Sequence, residues 1–246
     1  MAEAAAEGRP FSAQAYRLTK GAHMAEFMYS RRFYNNPLIR RMIRFSRNAV
    51  DVRDSLTDRR ICGQSLSKFV PAVAAGATGS QSTPYSVLDT VFRSAEFSED
   101  NAFLDIGCGN GRVLAFLIKK KVPCPLTGIE LNPEVAAVGQ AWTKRYPNAA
   151  VICGDVFDID LNRYDVFFMS RPFEPDLFSR FLQKLEREVH HRITLYYWVD
   201  QQSGQLLHNR PGWIMHERKI LFFRRGFFIA MTPQQYSVWT YLPHEA

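Results

Sequence analysis

The chain has 246 residues, 46% of them apolar and 22% charged, with a formal net charge of +7, and a chain of this length buries a sizeable core without disulfide or metal staples. Residues 1–60 hold 12 basic and 6 acidic side chains, so the basic surplus belongs to the N-terminal segment and not to the remainder. The longest small-apolar run, Phe69 to Ala77, contains Pro71 and Gly76 and falls far short of the roughly 20 residues of a membrane-spanning helix.

The opening residues carry Glu3 and Glu7 and no apolar stretch behind them, which argues against a secretory signal or a mitochondrial presequence and makes the cytoplasm the expected location. Cys62, Cys108, Cys124 and Cys153 form no CxxC pair, so neither a zinc site nor a disulfide framework is expected. His208, His216 and His244 show no metal-ligand spacing either, and His190 and His191 are expected to close a helix.

From Phe27 to Val50 there is no acid. Arg31, Arg32, Arg40, Arg41, Arg44 and Arg47 interleave with Leu38, Ile39, Met42, Ile43 and Phe45 at near-helical spacing. This predicts a basic amphipathic helix starting after Pro37, with its apolar stripe packed on the main domain and its arginines in solvent. The Arg31–Arg47 region alternatively contacts an anionic partner such as a membrane surface. The run 72–86, rich in Ala, Gly, Ser and Thr, reads as a linker or lid. We therefore divide the chain into an N-terminal helical cap at 1–82 and a main domain at 83–246.

Beyond residue 83, helix-like and strand-like segments alternate. Helices are predicted at 86–96, 111–121, 133–146 and 175–191, and strands at 102–106, 125–130, 150–155, 164–170, 193–199, 213–223 and 236–242. Alternation of this kind predicts an α/β fold, a doubly wound and mainly parallel seven-stranded sheet with helices on both faces.

The run Asp105-Ile106-Gly107-Cys108-Gly109-Asn110-Gly111-Arg112 sits where a buried strand hands over to a helix. Its glycines let the backbone turn tightly and approach a ligand at the helix N-terminus. A dinucleotide fingerprint would need glycine at 112, where the chain has arginine, and Asp105 at the strand end repels a pyrophosphate while suiting an ammonium group. Glu130 closes the second strand, where an acid accepts hydrogen bonds from ribose hydroxyls. Asp155 follows the third strand, where it can accept from an exocyclic amine while Val156 flanks a flat base. Three acids at successive strand ends converge on one crevice.

On these motifs the chain resembles the Rossmann-type, class I S-adenosylmethionine-dependent methyltransferases. DIGCGNG matches the family's glycine-rich motif, TGIELNP its ribose-binding motif, GDVFD its adenine-binding motif and YDVFFMSRPF its motif after the fourth strand, over roughly residues 84–200. The resemblance implies S-adenosyl-L-methionine as cofactor, with its methionine part along Asp105, Gly107, Cys108, Gly109 and Gly111 and near Ser170. It implies the ribose on Glu130 beside Leu131, and adenine beside Asp155 and Val156. TPYSVLDTVF is similar to a turn found in small members of the family, which implies that Tyr85 lies over the methionine end.

Where many relatives carry Asn-Pro-Pro-aromatic or Asn-Pro-Phe to hold an amine nucleophile, this chain has Ser170-Arg171-Pro172-Phe173. Arginine cannot accept a hydrogen bond from an amine; Arg171 could instead grip a substrate carboxylate or phosphate, or pair with Glu174. Candidate groups for positioning or deprotonating the acceptor are Glu174 and Tyr196, or Tyr197, although a tyrosine pair in TLYYWV also suits a buried strand. The first expectation for the acceptor is a small molecule or short peptide, methylated at O or N in a pocket covered by the N-terminal helices. The alternatives are a protein lysine or RNA methyltransferase that docks through the basic helix, and a cofactor-binding scaffold without activity. No nucleic-acid-binding module is recognisable.

Overall fold

The structure, a computed structural model, describes residues 29–243. The N-terminal glutamates and His244 lie outside the described residues. Seven strands form one sheet in the order β3-β2-β1-β4-β5-β9-β6: β1 (Phe103–Ile106), β2 (Leu126–Glu130), β3 (Ala149–Cys153), β4 (Val166–Ser170), β5 (Ile193–Trp198), β6 (Trp213–Leu221) and β9 (Gln234–Tyr241). The first five run parallel, and β9 inserts antiparallel between β5 and β6. Strand order therefore reverses between β1 and β4, the switch point at which an open α/β sheet forms its ligand crevice.

Both faces of the sheet are covered, as continuous apolar strand sequences require. On β4, Val166 and Phe168 face one core with Phe92, Phe103, Phe116 and Tyr196. Phe167 and Met169 face the other with Phe178, Phe181, Leu195 and Tyr197. The helices behind these cores are α3 (Tyr85–Val91), α4 (Arg112–Lys119), α5 (Pro133–Thr143) and α6 (Pro175–Glu188). Pro133 and Pro175 occupy first turns, where the missing amide has no intrahelical partner to lose.

The N-terminal region differs from expectation. After a single turn at Arg31–Tyr34 (α1), the basic helix α2 runs from Pro37 to Cys62 and ends at Gly63, whose φ of 79° stops it. It starts at Asn36, whose side chain accepts from Leu38 N and Ile39 N. Its inward face holds Ile43, Val50, Asp54, Asp58 and Cys62, while Leu38, Met42 and Phe45, placed in the packed stripe by sequence, point to solvent. Ile43 packs on Phe222 and Phe228, beside the hairpin β7 (Phe223–Arg224) and β8 (Phe227–Phe228). Ser46 Oγ accepts from Phe228 N at 2.7 Å, and Arg47 donates to the carbonyl of Ile229.

Segment 64–82 is neither linker nor free lid; it is a strap tied across the carboxyl edge of the sheet. Val70 and Ser80 exchange backbone hydrogen bonds, Thr78 N donates to Pro172 O at 3.0 Å, and Glu174 N donates to Gly76 O at 2.8 Å. It is this strap, and not α2, that covers the crevice.

Candidate active site

The glycine loop is shaped by β1 and α4 together. Gly107 and Gly109 have φ of 68° and 56°, values that L side chains rarely adopt. A Cβ on Gly107 would stand 2.9 Å from Pro172 Cβ, and one on Gly109 would collide with the Ser80 hydroxyl. The loop thus runs directly under the strap and against the turn that follows β4. Gly107 N and Cys108 N both donate to Ile129 O, at 2.9 and 3.0 Å.

Glu130 locks this loop to the next turn: Oε2 accepts from Gly109 N and Oε1 from Asn132 N, each at 2.9 Å. A carboxylate has lone pairs left after two such bonds, so Glu130 can still receive hydroxyl donors from the crevice it lines. Asp155 accepts from Phe157 N and also faces the crevice, with Val156 buried beside it.

Asp105 is 2% exposed, and its Oδ2 has no hydrogen-bond partner. Burial, and then the nearby Glu130, push its carboxyl well above the ordinary carboxylate range. Buried polar atoms are nearly always paired, and Asp105 lines the crevice, so it is suited to an incoming cation.

Two adjacent chambers occupy the crevice. One of about 350 Å³ is lined by Glu130, Leu131, Asp155, Val156, Phe173 and Arg180, among others. The other, of about 20 Å³, is lined by Asp105, Cys108, Arg112, Phe168 and Thr83, among others. Ser80, Gln81, Gly107 and Ser170 border both. A larger groove of about 540 Å³, with Phe92, Phe97 and Phe116 in its wall, involves none of these residues.

Gly111 lies outside both linings; a Cβ there would meet Trp142 at 3.0 Å, so its part is to let α5 approach. Tyr85 is also outside them. Its hydroxyl donates to Asp58 at 2.9 Å and its ring lies 5.6 Å from the Arg112 guanidinium, so it ties α2 to the residue that follows the glycine loop. Tyr196 is buried with its ring centroid 4.9 Å from Phe92, and burial pushes its hydroxyl up to about 12. Glu174 is exposed at the start of α6. Arg171, at φ 45°, donates to Gln202 Oε1 at 3.2 Å, and no pairing with Glu174 occurs among the described residues. None of these last three borders either chamber.

Sequence reasoning missed the strap residues Thr78, Ser80 and Gln81, because a run of small polar residues resembles any loop. It also missed Arg180, on the cleft side of α6 and 5.5 Å over the Phe157 ring. Asp54 and Asp58 escaped too. Asp58 accepts from Arg112 Nη2 at 2.6 Å and Nε at 3.1 Å, from Tyr85 and from Leu66 N. Asp54 accepts from Tyr85 N at 3.0 Å, and burial raises its carboxyl. The available signal was their phase: positions 54 and 58 continue the face of Ile43, Val50 and Cys62.

Residues 103–191, the span from β1 to the approach to β5, match a family model described as a methyltransferase domain. By that match this segment is a methyltransferase domain. A protein-lysine N-methyltransferase from Saccharolobus islandicus (strain REY15A) is 25% identical over 158 residues, 56% of this chain and 93% of the relative. The fold matches that of a methyltransferase from Pyrococcus furiosus, with TM-score 0.51, 14% identity, and 79% and 97% of the two chains covered. It also matches that of an RNA methyltransferase from Salinibacter ruber solved with S-adenosyl-L-homocysteine, with TM-score 0.50, 18% identity, and 67% and 95% covered.

The methyltransferase cofactor suits the residues present: an unpaired buried carboxylate for its ammonium, Glu130 for its ribose hydroxyls, and a larger chamber for its adenosine. Glu130→Ala is expected to weaken S-adenosylhomocysteine binding about 10–100-fold, the loss that follows removal of hydrogen bonds to a charged group. Arg171→Ala is expected to leave binding within about twofold, since the methyltransferase holds that side chain on Gln202. Titration calorimetry of the two variants checks the ordering.

Proposed function

We propose that the acceptor is the side-chain amine of a lysine presented by a polypeptide. The observation that carries this reading is the similarity to a curated protein-lysine N-methyltransferase, 25% identical over 158 residues and over 93% of that relative. A lysine side chain is slender and can enter the crevice end-on, its bulk remaining outside.

S-adenosylmethionine supplies a methyl group already activated on a sulfonium, so the protein's part is to align the nucleophile and keep water out. Asp105 would fix the ammonium and Glu130 the ribose, holding the reactive end near Ser170. Ser170 borders both chambers and has a hydroxyl that can accept from an amine. The neighbouring Arg171 carbonyl accepts from Thr78 Oγ1 of the strap at 2.5 Å. An entering amine would displace the strap there, which makes strap movement part of substrate entry.

The test offers the purified full chain, with methyl-labelled cofactor, to unfolded lysine-rich proteins and to a panel of small carboxylates and amines. Label is expected in protein, and blocking the lysines beforehand should remove it. Label entering only the small molecules would overturn the proposal.

A further inference from the structure

The outer face of α2 has no role in the site described above. Leu38, Met42, Phe45, Val52 and Leu56 are exposed on it, Phe45 to 78% and Leu38 to 74%. Their steps of 4, 3, 7 and 4 residues align them on one side of the helix. Single exposed apolar residues need no explanation, but a continuous seam of large ones marks an interaction surface.

Beside the seam, three or four residues from Leu38, Phe45 or Leu56, lie Arg41, Arg59 and Arg60, all exposed and with no carboxylate partner among the described residues. Hydrogen bonds from Arg47 and to Ser46 fix the helix to the segment around β8, so the surface is presented on a rigid support.

Charge decides among possible occupants. A second copy would set Arg41, Arg59 and Arg60 against the same arginines of its own α2. Residues 1–28 carry three glutamates balanced by Arg9, Arg17 and Lys20, and have no negative surplus to offer. RNA would satisfy the arginines but leave the aliphatic seam in water. An anionic bilayer surface satisfies both, and arginines on one face with Phe and Leu on another are the composition of helices lying in the membrane plane. The 26 residues of α2 give a contact about 39 Å long. No helix among the described residues is long and apolar enough to cross a membrane.

We propose that the outer face of α2 is a peripheral membrane-binding surface. It would seat Leu38, Met42, Phe45, Val52 and Leu56 at the boundary between headgroups and acyl chains, and Arg41, Arg59 and Arg60 on the phosphates of anionic lipid. The test is flotation of the full chain with phosphatidylcholine vesicles, with and without about one third phosphatidylglycerol.

Binding is expected only with the anionic vesicles and should weaken with salt. The triple variant Arg41→Glu, Arg59→Glu, Arg60→Glu should lower partitioning about 100-fold, since each basic residue near such a surface contributes roughly fivefold. Phe45→Ser should lower it about tenfold, with thermal midpoint and cofactor affinity unchanged. Absence of flotation by the unmodified protein would overturn the proposal. So would a sedimentation dimer that Phe45→Ser converts to monomer, or an arginine variant that loses binding to polyuridylate while keeping its vesicle binding.

Discussion

Asp105→Asn is expected to stabilise the cofactor-free protein while removing most of its affinity for the cofactor. In the free protein the Asp105 carboxyl is buried beside Glu130, and its Oδ2 meets no donor. Its carboxyl titrates above the unfolded range, so the neutral form is favoured on folding. The stability this provides is fully present below the unfolded carboxylate range and is lost as pH rises through the folded value. Asparagine has no charge to desolvate, so the variant's advantage should widen with pH over that window and then level off.

Each kcal/mol gained raises the thermal midpoint of a chain of this size by about 2–4 °C. The same change removes the charged partner of an ammonium group and should weaken binding about 10–100-fold. Affinity of the unmodified protein should rise with pH as Asp105 ionises, with proton release on binding, whereas the variant should be flat. Calorimetry in buffers of different ionisation enthalpy, together with scanning of the free protein, reads both arms. A variant that is less stable and binds normally would remove Asp105 from the cofactor site.

The parallel sheet was legible because each strand is a short apolar run between turn signals and each helix has a strong periodic face. Boundaries moved by one to a few residues where apolar sequence outlasts the hydrogen-bonded ladder, as at 213–223 against Trp213–Leu221. The acids of the crevice were legible for a related reason. Asp105, Glu130 and Asp155 interrupt or follow apolar runs at strand ends, where a charge has no packing role.

The N-terminal half was harder to read because its logic is inverted. Helix α2 buries two aspartates and exposes Leu38, Met42 and Phe45, so a periodicity argument places Ile39 and Ile43 against the domain correctly and these three incorrectly. The partner of Tyr85 was illegible: nothing in TPYSVLDTVF reveals that Asp58, 27 residues earlier, receives its hydroxyl. The strap was illegible because its ties to Arg171, Pro172 and Glu174 are made by backbone groups and one threonine hydroxyl.

Breaking the Asp58–Arg112 pair should be the most damaging single change among those considered. Both side chains are almost wholly buried, at 0% and 2% side-chain exposure, and are joined by two hydrogen bonds. Arg112→Ala would leave the Asp58 carboxylate in the interior with only Tyr85 Oη and Leu66 N as donors. Removing one partner of such a pair costs about 3–5 kcal/mol, or a fall of about 10 °C at 2–4 °C per kcal/mol.

Asp58→Ala should cost a similar amount and should also release Leu66 N, where the strap begins, and the Tyr85 hydroxyl. Its effect should therefore reach cofactor binding from a helix that borders neither chamber. Replacing both at once, Asp58→Ala with Arg112→Ala, leaves no orphaned charge and is expected to cost clearly less than the two single losses together. Denaturant titrations of these three variants and the unmodified protein measure the coupling. If the two single losses instead added up independently of each other, α2 and the glycine loop would be separately stable. The pair would then only fill space between them, and Asp58 would have no hold on the loop that receives the cofactor.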